Sequence, residues 1–192
     1  MSWKSTAKYQ RLMVKEFDLG PVADVWVVVD MQRRFHVTHS TPDRAVPEDG
    51  ERHYLNSTVE YAASAAASAA SFLLERGRSV GLLTWTDREQ LVLPDRGARQ
   101  LWKLLEILAL VQACDAPPLR DLLLTHQSYF AGNHSLVVVT PDTSGSWRVG
   151  LEVAAGKVLP ATAIYIDAIS FDPRLPRLLP QVRERGGRFT SY

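Results

Sequence analysis

Four short apolar runs recur along the chain and predict four buried strands. They are VWVVVD at 25–30, SVGLLTW at 79–85, SLVVVT at 135–140 and ATAIYID at 161–167. Because their apolarity is continuous and rich in β-branched residues, each strand is expected to be covered on both faces, as in a parallel sheet. A further strand, REQLVLP at 88–94, follows a tight polar turn around Asp87. This spacing predicts a β-hairpin and one antiparallel strand.

Segments with helical periodicity lie between these strands. Ser57 and Glu60 are spaced as a capping box, and Gly77 suits a helix C-terminus, so a helix is predicted from Ser57 to about Arg76. The next helix, predicted over 98–113, has a stripe of four leucines: Leu101, Leu104, Leu105 and Leu108. Further helices are predicted from Leu119, over 148–159 and over 174–185.

Alternating strands and helices with one hairpin predict a three-layer, Rossmann-like α/β sandwich. The sheet is expected to be mostly parallel, with strand order 3-2-1-4-5-6 and GGRFTSY at 186–192 as the final edge strand. Its switch point then falls between the strands that end at Asp30 and Thr140. Ligands of such sheets bind beyond the carboxyl ends of the strands at this point.

Composition limits the function classes. The chain has 192 residues, 22 Lys and Arg against 21 Asp and Glu, and a formal net charge of +1, so no global field attracts nucleic acid. Its single cysteine, Cys114, excludes an internal disulfide framework and favours a reducing, cytoplasmic compartment. No run of ~20 apolar residues predicts a membrane span.

The switch point supplies the candidate binding residues. Asp30 ends a buried strand, and the turn that follows it contains Gln32, Arg33 and Arg34. The loop after strand 135–140 and the segment CDAPPLR complete the set with Thr140, Asp142, Trp147 and Asp115. Trp147 offers either an exposed interaction surface or partial burial, whereas Trp85 and Trp102 are expected to pack in or near the core.

Two segments resemble a known family. WKSTAKYQRLMVKEF at 3–17 and the stretch at 75–111, from ERGRSVG to ILALV, are similar to the signature and later half of the bacterial domain-of-unknown-function family 58. The resemblance implies a von Willebrand factor A-like domain over 21–192, preceded at 1–20 by the tail of the family signature, with 11–17 extended. It also implies a longer protein that is anchored in a membrane through upstream segments, with a MoxR-type AAA ATPase as partner.

Von Willebrand A domains hold Mg²⁺ through Asp-x-Ser-x-Ser, a threonine and a third-loop aspartate. Here Asp30 and Asp142 match carboxylate positions, but Gln32 and Arg34 replace the serines, and Asp115 lies where the threonine is expected. Arginine has no lone pair and carries a fixed positive charge, so this metal site is interpreted as degenerate and no cofactor is expected. Arg33 or Arg34 is instead predicted to bridge Asp30 and Asp142 as a buried salt bridge.

Two other features of the sequence suggest different chemistries, a cysteine hydrolase and a zinc site. VVVDMQRRF is similar to the opening of isochorismatase-like cysteine hydrolases, but Cys114 follows a helix rather than a strand, which disfavours a nucleophile. Histidines 36, 39 and 53 share one long polar loop at 36–53 and are interpreted as solvated rather than as zinc ligands.

The sequence thus favours a non-catalytic protein-interaction module with a protein partner and a cytoplasmic location. The alternative is a metal-dependent or carboxylate-based hydrolase that uses Asp30 and Asp142.

Overall fold

One mostly parallel sheet organises the chain. The computed structural model describes residues 23–38, 57–130, 134–155, 161–168 and 171. Within these residues the strands are β1 (Asp24–Val29), β2 (Val80–Trp85), β3 (Glu89–Asp95), β4 (His134–Thr140) and β5 (Ala161–Tyr165). Their order is β3-β2-β1-β4-β5, and only the β2–β3 pair is antiparallel. The predicted order is confirmed through the fifth strand, whereas the sixth, at 186–192, lies outside the described residues.

Helices cover both faces of this sheet. They are α1 (Thr58–Glu75), α2 (Gly97–Leu108), α3 (Leu119–Thr125), α4 (Gln127–Phe130) and α5 (Trp147–Ala155), with a short 3-10 turn at Arg33–Phe35. None of the helices in the described ranges is long and apolar enough to cross a bilayer. The predicted cap of α1 is confirmed, although the Ser57 hydroxyl accepts from the Val59 amide rather than from the amide of Glu60. Gly77 ends α1 with φ +71°, a conformation that favours glycine.

The predicted extent of α2 is wrong at its C-terminus, which lies five residues before 113. After Leu108 the chain leaves the helix and runs beside the end of β1. There the Cys114 amide donates to the Met31 carbonyl at 3.0 Å, and the Arg33 amide donates to the Cys114 carbonyl at 2.8 Å. These long-range bonds replace the helical bonds that the local pattern favoured.

Two apolar layers enclose the sheet. On one side, Ala62, Ala66 and Ala70 of α1 form a stripe of small residues that packs with Val27 and Leu82. On the other side, Trp26 packs edge-to-face on Phe130 and belongs to a cluster with residues of α3 and α5. Continuous burial of β1 from Val25 onward explains why its sequence shows no alternation.

The tryptophans correct the sequence expectation. Trp102 is 67% exposed, so its predicted place near the core is wrong, whereas Trp147 is only 4% exposed and packs in the second layer. Trp85, at the end of β2, is intermediate. The domain boundary at residue 20, the extended segment 11–17, the helix 174–185 and most of the loop 36–53 lie outside the described residues.

Candidate functional site

The carboxyl ends of β1 and β4 place two polar side chains next to each other. Val29 is paired with Val139, so the residues that follow, Asp30 and Thr140, are neighbours across the sheet. The Thr140 hydroxyl donates to Asp30 Oδ2 at 2.7 Å, and the Gln32 amide donates to Oδ1 at 3.0 Å. Asp30 is 1% exposed. Both oxygens of this carboxylate are therefore engaged by the protein itself.

Asp142 organises the loop that leads into α5. Its amide donates to the Thr140 hydroxyl oxygen at 3.0 Å, which links it to Asp30 through one side chain. Its Oδ1 accepts from the Ser144 amide at 2.6 Å, and its carbonyl accepts from the Trp147 indole at 3.2 Å. Asp142 is 2% exposed. Since its carboxylate closes the Asx turn before α5, Asp142 has a local structural role.

Burial changes the acidity of Asp30. Desolvation raises its pKa from 3.8 to about 6, and the nearby charge of Asp142 adds to this rise. The hydrogen bonds from the Gln32 amide and the Thr140 hydroxyl oppose it, because both stabilise the charged form. A carboxyl group with this pKa titrates around pH 6, well above the range of an exposed aspartate.

His36 holds the backbone of Asp30. The Asp30 carbonyl can only accept, so Nε2 of His36 donates to it, at 2.8 Å, and Nδ1 lies 3.0 Å from the Thr58 hydroxyl. Burial lowers the pKa of His36, although the bond to Asp30 opposes this effect. The interpretation of His36 as a solvated loop residue is therefore wrong; His39 and His53 lie outside the described residues. No sequence motif marks this contact, because it joins two elements across a long loop.

The two arginines after Asp30 point away from the carboxylates of Asp30 and Asp142. Nε of Arg33 lies 3.7 Å from the carboxylate of Asp115, and both side chains are largely exposed. Nε of Arg34 donates to the Gln32 side-chain oxygen at 3.0 Å, and the Arg34 guanidinium stacks on Phe35. In the described part of the chain, neither arginine forms an ion pair with Asp30 or Asp142. The predicted arginine bridge is therefore wrong, because the 3-10 turn held by Cys114 directs these side chains outward.

The donor set does not fit a six-oxygen magnesium site. The side-chain oxygen of Gln32 accepts from Arg34, Arg34 itself has no lone pair, and Asp115 lies on the exposed rim beside Arg33. Across the described ranges, no three His, Cys, Asp or Glu side chains come close enough to hold a metal ion. That this edge does not bind Mg²⁺ in solution stays a prediction, which titration tests.

A cleft of about 530 Å³ lies next to this edge, between the β2–β3 turn and the segment that follows α2. Arg33 and Cys114 line it on the β1 side, and Arg88 lines it on the turn. Burial raises the pKa of the Cys114 thiol, and its sulfur donates to the Trp85 carbonyl at 3.9 Å, so this thiol is not activated as a nucleophile. The sequence pattern did not reveal Arg88 or Leu110 as cleft residues. Arg88 lies in an ordinary polar turn, and Leu110 lies near the end of a predicted helix.

Comparisons with known proteins decide the family. A family model described as "Protein of unknown function DUF58" matches residues 1–126, which is more than half of the chain. The chain belongs to this family. A search of curated proteins finds no match. Matching solved structures include "von Willebrand factor type A from Catenulispora acidiphila", with 12% identity and a TM-score of 0.42. The match covers 73% of this chain and 32% of that protein, so the chain spans about a third of its length.

In this DUF58 chain, the predicted site residues separate into two groups. The first group is buried and hydrogen-bonded: Asp30, Thr140 and Asp142, with the Trp147 indole beneath them. The second group forms the rim: Gln32, Arg33, Arg34 and Asp115. The edge thus combines a buried polar interior with a rim of polar and charged side chains.

Proposed function

We propose that this DUF58 chain is a non-catalytic protein-interaction module. The observation that supports this proposal is the state of the two edge carboxylates. Asp30 and Asp142 are buried, and their oxygens accept hydrogen bonds from the protein's own amides and hydroxyls. A metal site or a hydrolytic centre needs carboxylate lone pairs that face the ligand. The rim, in contrast, presents charged groups to solvent.

We propose further that this module works within a larger assembly. Resemblance to the DUF58 family implies a longer, membrane-anchored bacterial protein whose cytoplasmic domain works with a MoxR-type AAA ATPase. A formal net charge of +1 argues against recruitment of nucleic acid. The proposed module therefore has a protein partner, needs no cofactor and contains a degenerate metal site.

Affinity capture tests this function. The tagged full-length protein is expressed with its neighbouring MoxR-type ATPase, in buffers with EDTA and with Mg²⁺. We expect the ATPase to copurify in both buffers, and equally with the Asp30→Asn variant, because no metal bound at Asp30 takes part. Failure of any protein to copurify, or capture that requires both Mg²⁺ and Asp30, would contradict the proposal.

One observation favours the hydrolase alternative. The pKa of Asp30, raised by burial to about 6, is typical of a group that transfers protons, and Asp142 lies near enough to influence it. Hydrolysis of p-nitrophenyl esters and phosphates, with and without Mn²⁺, separates the two functions. The alternative predicts turnover that is lost in both Asp30→Asn and Asp142→Asn, whereas an interaction module gives no turnover that depends on these residues.

A further inference from the structure

The cleft beside the carboxyl edge has two positively charged walls. Arg33 lines the cleft where the 3-10 turn follows β1, and Arg88 lines it in the turn between β2 and β3. The Arg33 side chain is 65% exposed, and Arg88 is exposed as well. Both guanidinium groups are therefore available to a ligand. Each presents a planar fork of donors that suits a carboxylate.

An apolar wall completes the cleft. Leu110, two residues after the end of α2, is 71% exposed, and the half-buried Ile107 also lines the cleft. An exposed leucine next to two guanidinium groups is an amphipathic combination. It suits a ligand that carries a negative charge and an apolar side chain close together.

The acidic groups near the cleft are already engaged. Asp87 accepts from the Thr86 hydroxyl at 2.8 Å, and this bond is the main reason that its pKa is lowered. Asp115 lies 3.7 Å from Nε of Arg33, a long and solvent-exposed ion pair. Such a pair contributes little and is replaceable by a better acceptor. An incoming carboxylate therefore competes with Asp115 for Arg33 and with the exposed Asp87 for Arg88.

Backbone bonds hold both charged walls in place. The Arg33 amide donates to the carbonyl of Cys114, another lining residue, at 2.8 Å. In the turn between β2 and β3, the Thr86 amide donates to the Arg88 carbonyl at 2.9 Å, and the Gln90 side chain donates to the Thr86 hydroxyl oxygen at 3.1 Å. A surface whose backbone is already fixed loses little backbone freedom when it binds, so the ordering cost is limited to the side chains.

We infer that this cleft is the docking surface for an acidic segment of a protein partner, in which a carboxylate lies between Arg33 and Arg88 and a neighbouring apolar side chain contacts Leu110. The inference rests on the proposed interaction function and specifies its surface and the chemistry of its partner. Charge complementarity selects this occupant, since two exposed guanidinium groups line the cleft together with an apolar wall, and their acidic neighbours Asp87 and Asp115 are solvent-exposed.

Fluorescence anisotropy tests the inference with a defined probe. The probe is a short fluorescein-labelled peptide that carries two Glu-Leu pairs flanked by glycine and serine, titrated with the 192-residue chain. Peptides with Gln or Lys in place of Glu serve as controls. We expect saturable binding of the Glu peptide only, weakened by about tenfold or more in Arg33→Glu and Arg88→Glu. Arg99→Glu, an exposed substitution on α2 outside the cleft, is expected to bind as the wild type does.

A gain of affinity provides a second readout. Asp115→Asn removes the competitor of Arg33, so we expect it to tighten binding of the Glu peptide by roughly twofold to threefold. A general effect on folding would not increase affinity. Equal weakening in Arg99→Glu and the cleft variants, no saturable binding by the wild type, or weaker binding by Asp115→Asn would each overturn the inference.

Capture with the ATPase separates this inference from the proposed function. If the Arg33→Glu/Arg88→Glu double variant captures the ATPase as well as the wild type does, the interaction function stands and the cleft is not its surface. If the wild type captures no protein but binds the Glu peptide through both arginines, the inference stands and the proposed function fails. Loss of capture in the double variant, with normal capture by Arg99→Glu, supports both.

Discussion

Replacing Asp30 by asparagine should stabilise the domain at neutral pH. Asparagine has the shape of the neutral carboxylic acid, so its Oδ1 can still accept from the Gln32 amide, while its amide nitrogen faces the Thr140 hydroxyl. At neutral pH the wild-type carboxylate is ionised although it is almost completely buried at the end of β1. The substitution removes this charge and keeps the packing.

The size of this gain in unfolding free energy follows from the pKa of Asp30, which burial raises from 3.8 to about 6. A carboxyl group with a raised folded-state pKa binds more protons in the folded than in the unfolded protein between these values. Its contribution to stability is therefore present at low pH and is lost as the pH rises through about 4 to 6. At ~1.4 kcal/mol for each pKa unit, the loss is about 3 kcal/mol. Exchange of the Thr140 hydrogen bond costs about 1 kcal/mol, which leaves a net gain of roughly 2 kcal/mol for Asp30→Asn above neutrality.

Urea denaturation followed by circular dichroism from about pH 4 to 8 measures this gain. His36 has a lowered pKa, so its contribution falls as the pH drops below 6.5, opposite to that of Asp30. This contribution is common to both proteins and cancels in their difference. Asp121→Asn, an exposed substitution in α3, is the control and should change stability by no more than ~0.5 kcal/mol at any pH. If Asp30→Asn destabilises the domain equally at both ends of the range, the charge of Asp30 is not the cost that we describe.

Three further predictions concern the same edge and the sheet. Calorimetry with millimolar Mg²⁺ or Mn²⁺ should show no saturable heat; a one-site isotherm that Asp30→Ala abolishes would contradict this. Arg33→Ala and Arg34→Ala should each unfold within about 1 kcal/mol of the wild type in urea, because both side chains are exposed, and a loss near 3 kcal/mol would indicate a buried ion pair. Gly81→Ala should destabilise the domain by about 1–3 kcal/mol in the same assay, since a Cβ there would lie 2.9 Å from Trp26; an unchanged midpoint would disprove that clash.

Much of the fold was predictable because its signals are local. Continuous apolar runs marked four of the described strands, and the polar turn around Asp87 marked β3, each to within about two residues. Ser57 and Gly77 marked the ends of α1. The place of the buried site was also predictable. Since parallel strands end at the same edge of a sheet, Asp30 and Thr140 had to meet once β1 and β4 were neighbours.

Directions of side chains around the site were not predictable, because contacts distant in sequence decide them. Pairing of Gln32 with Cys114 turns Arg33 and Arg34 outward, and the same pairing ends α2 early. The His36 ring contacts the Asp30 carbonyl through Nε2 and the Thr58 hydroxyl of α1 through Nδ1, so its position depends on where α1 packs.

Amino-acid sequence by itself determined the order of the sheet, the class of the fold and the edge where the polar residues gather, since these follow from local periodicity and strand direction. Tertiary structure decided which of those side chains are buried and which are exposed. Trp102 and Trp147 have similar apolar surfaces, yet one is exposed on α2 and the other buried at the start of α5. The rotation of each helix against the sheet, set by all of its packing contacts at once, makes that difference.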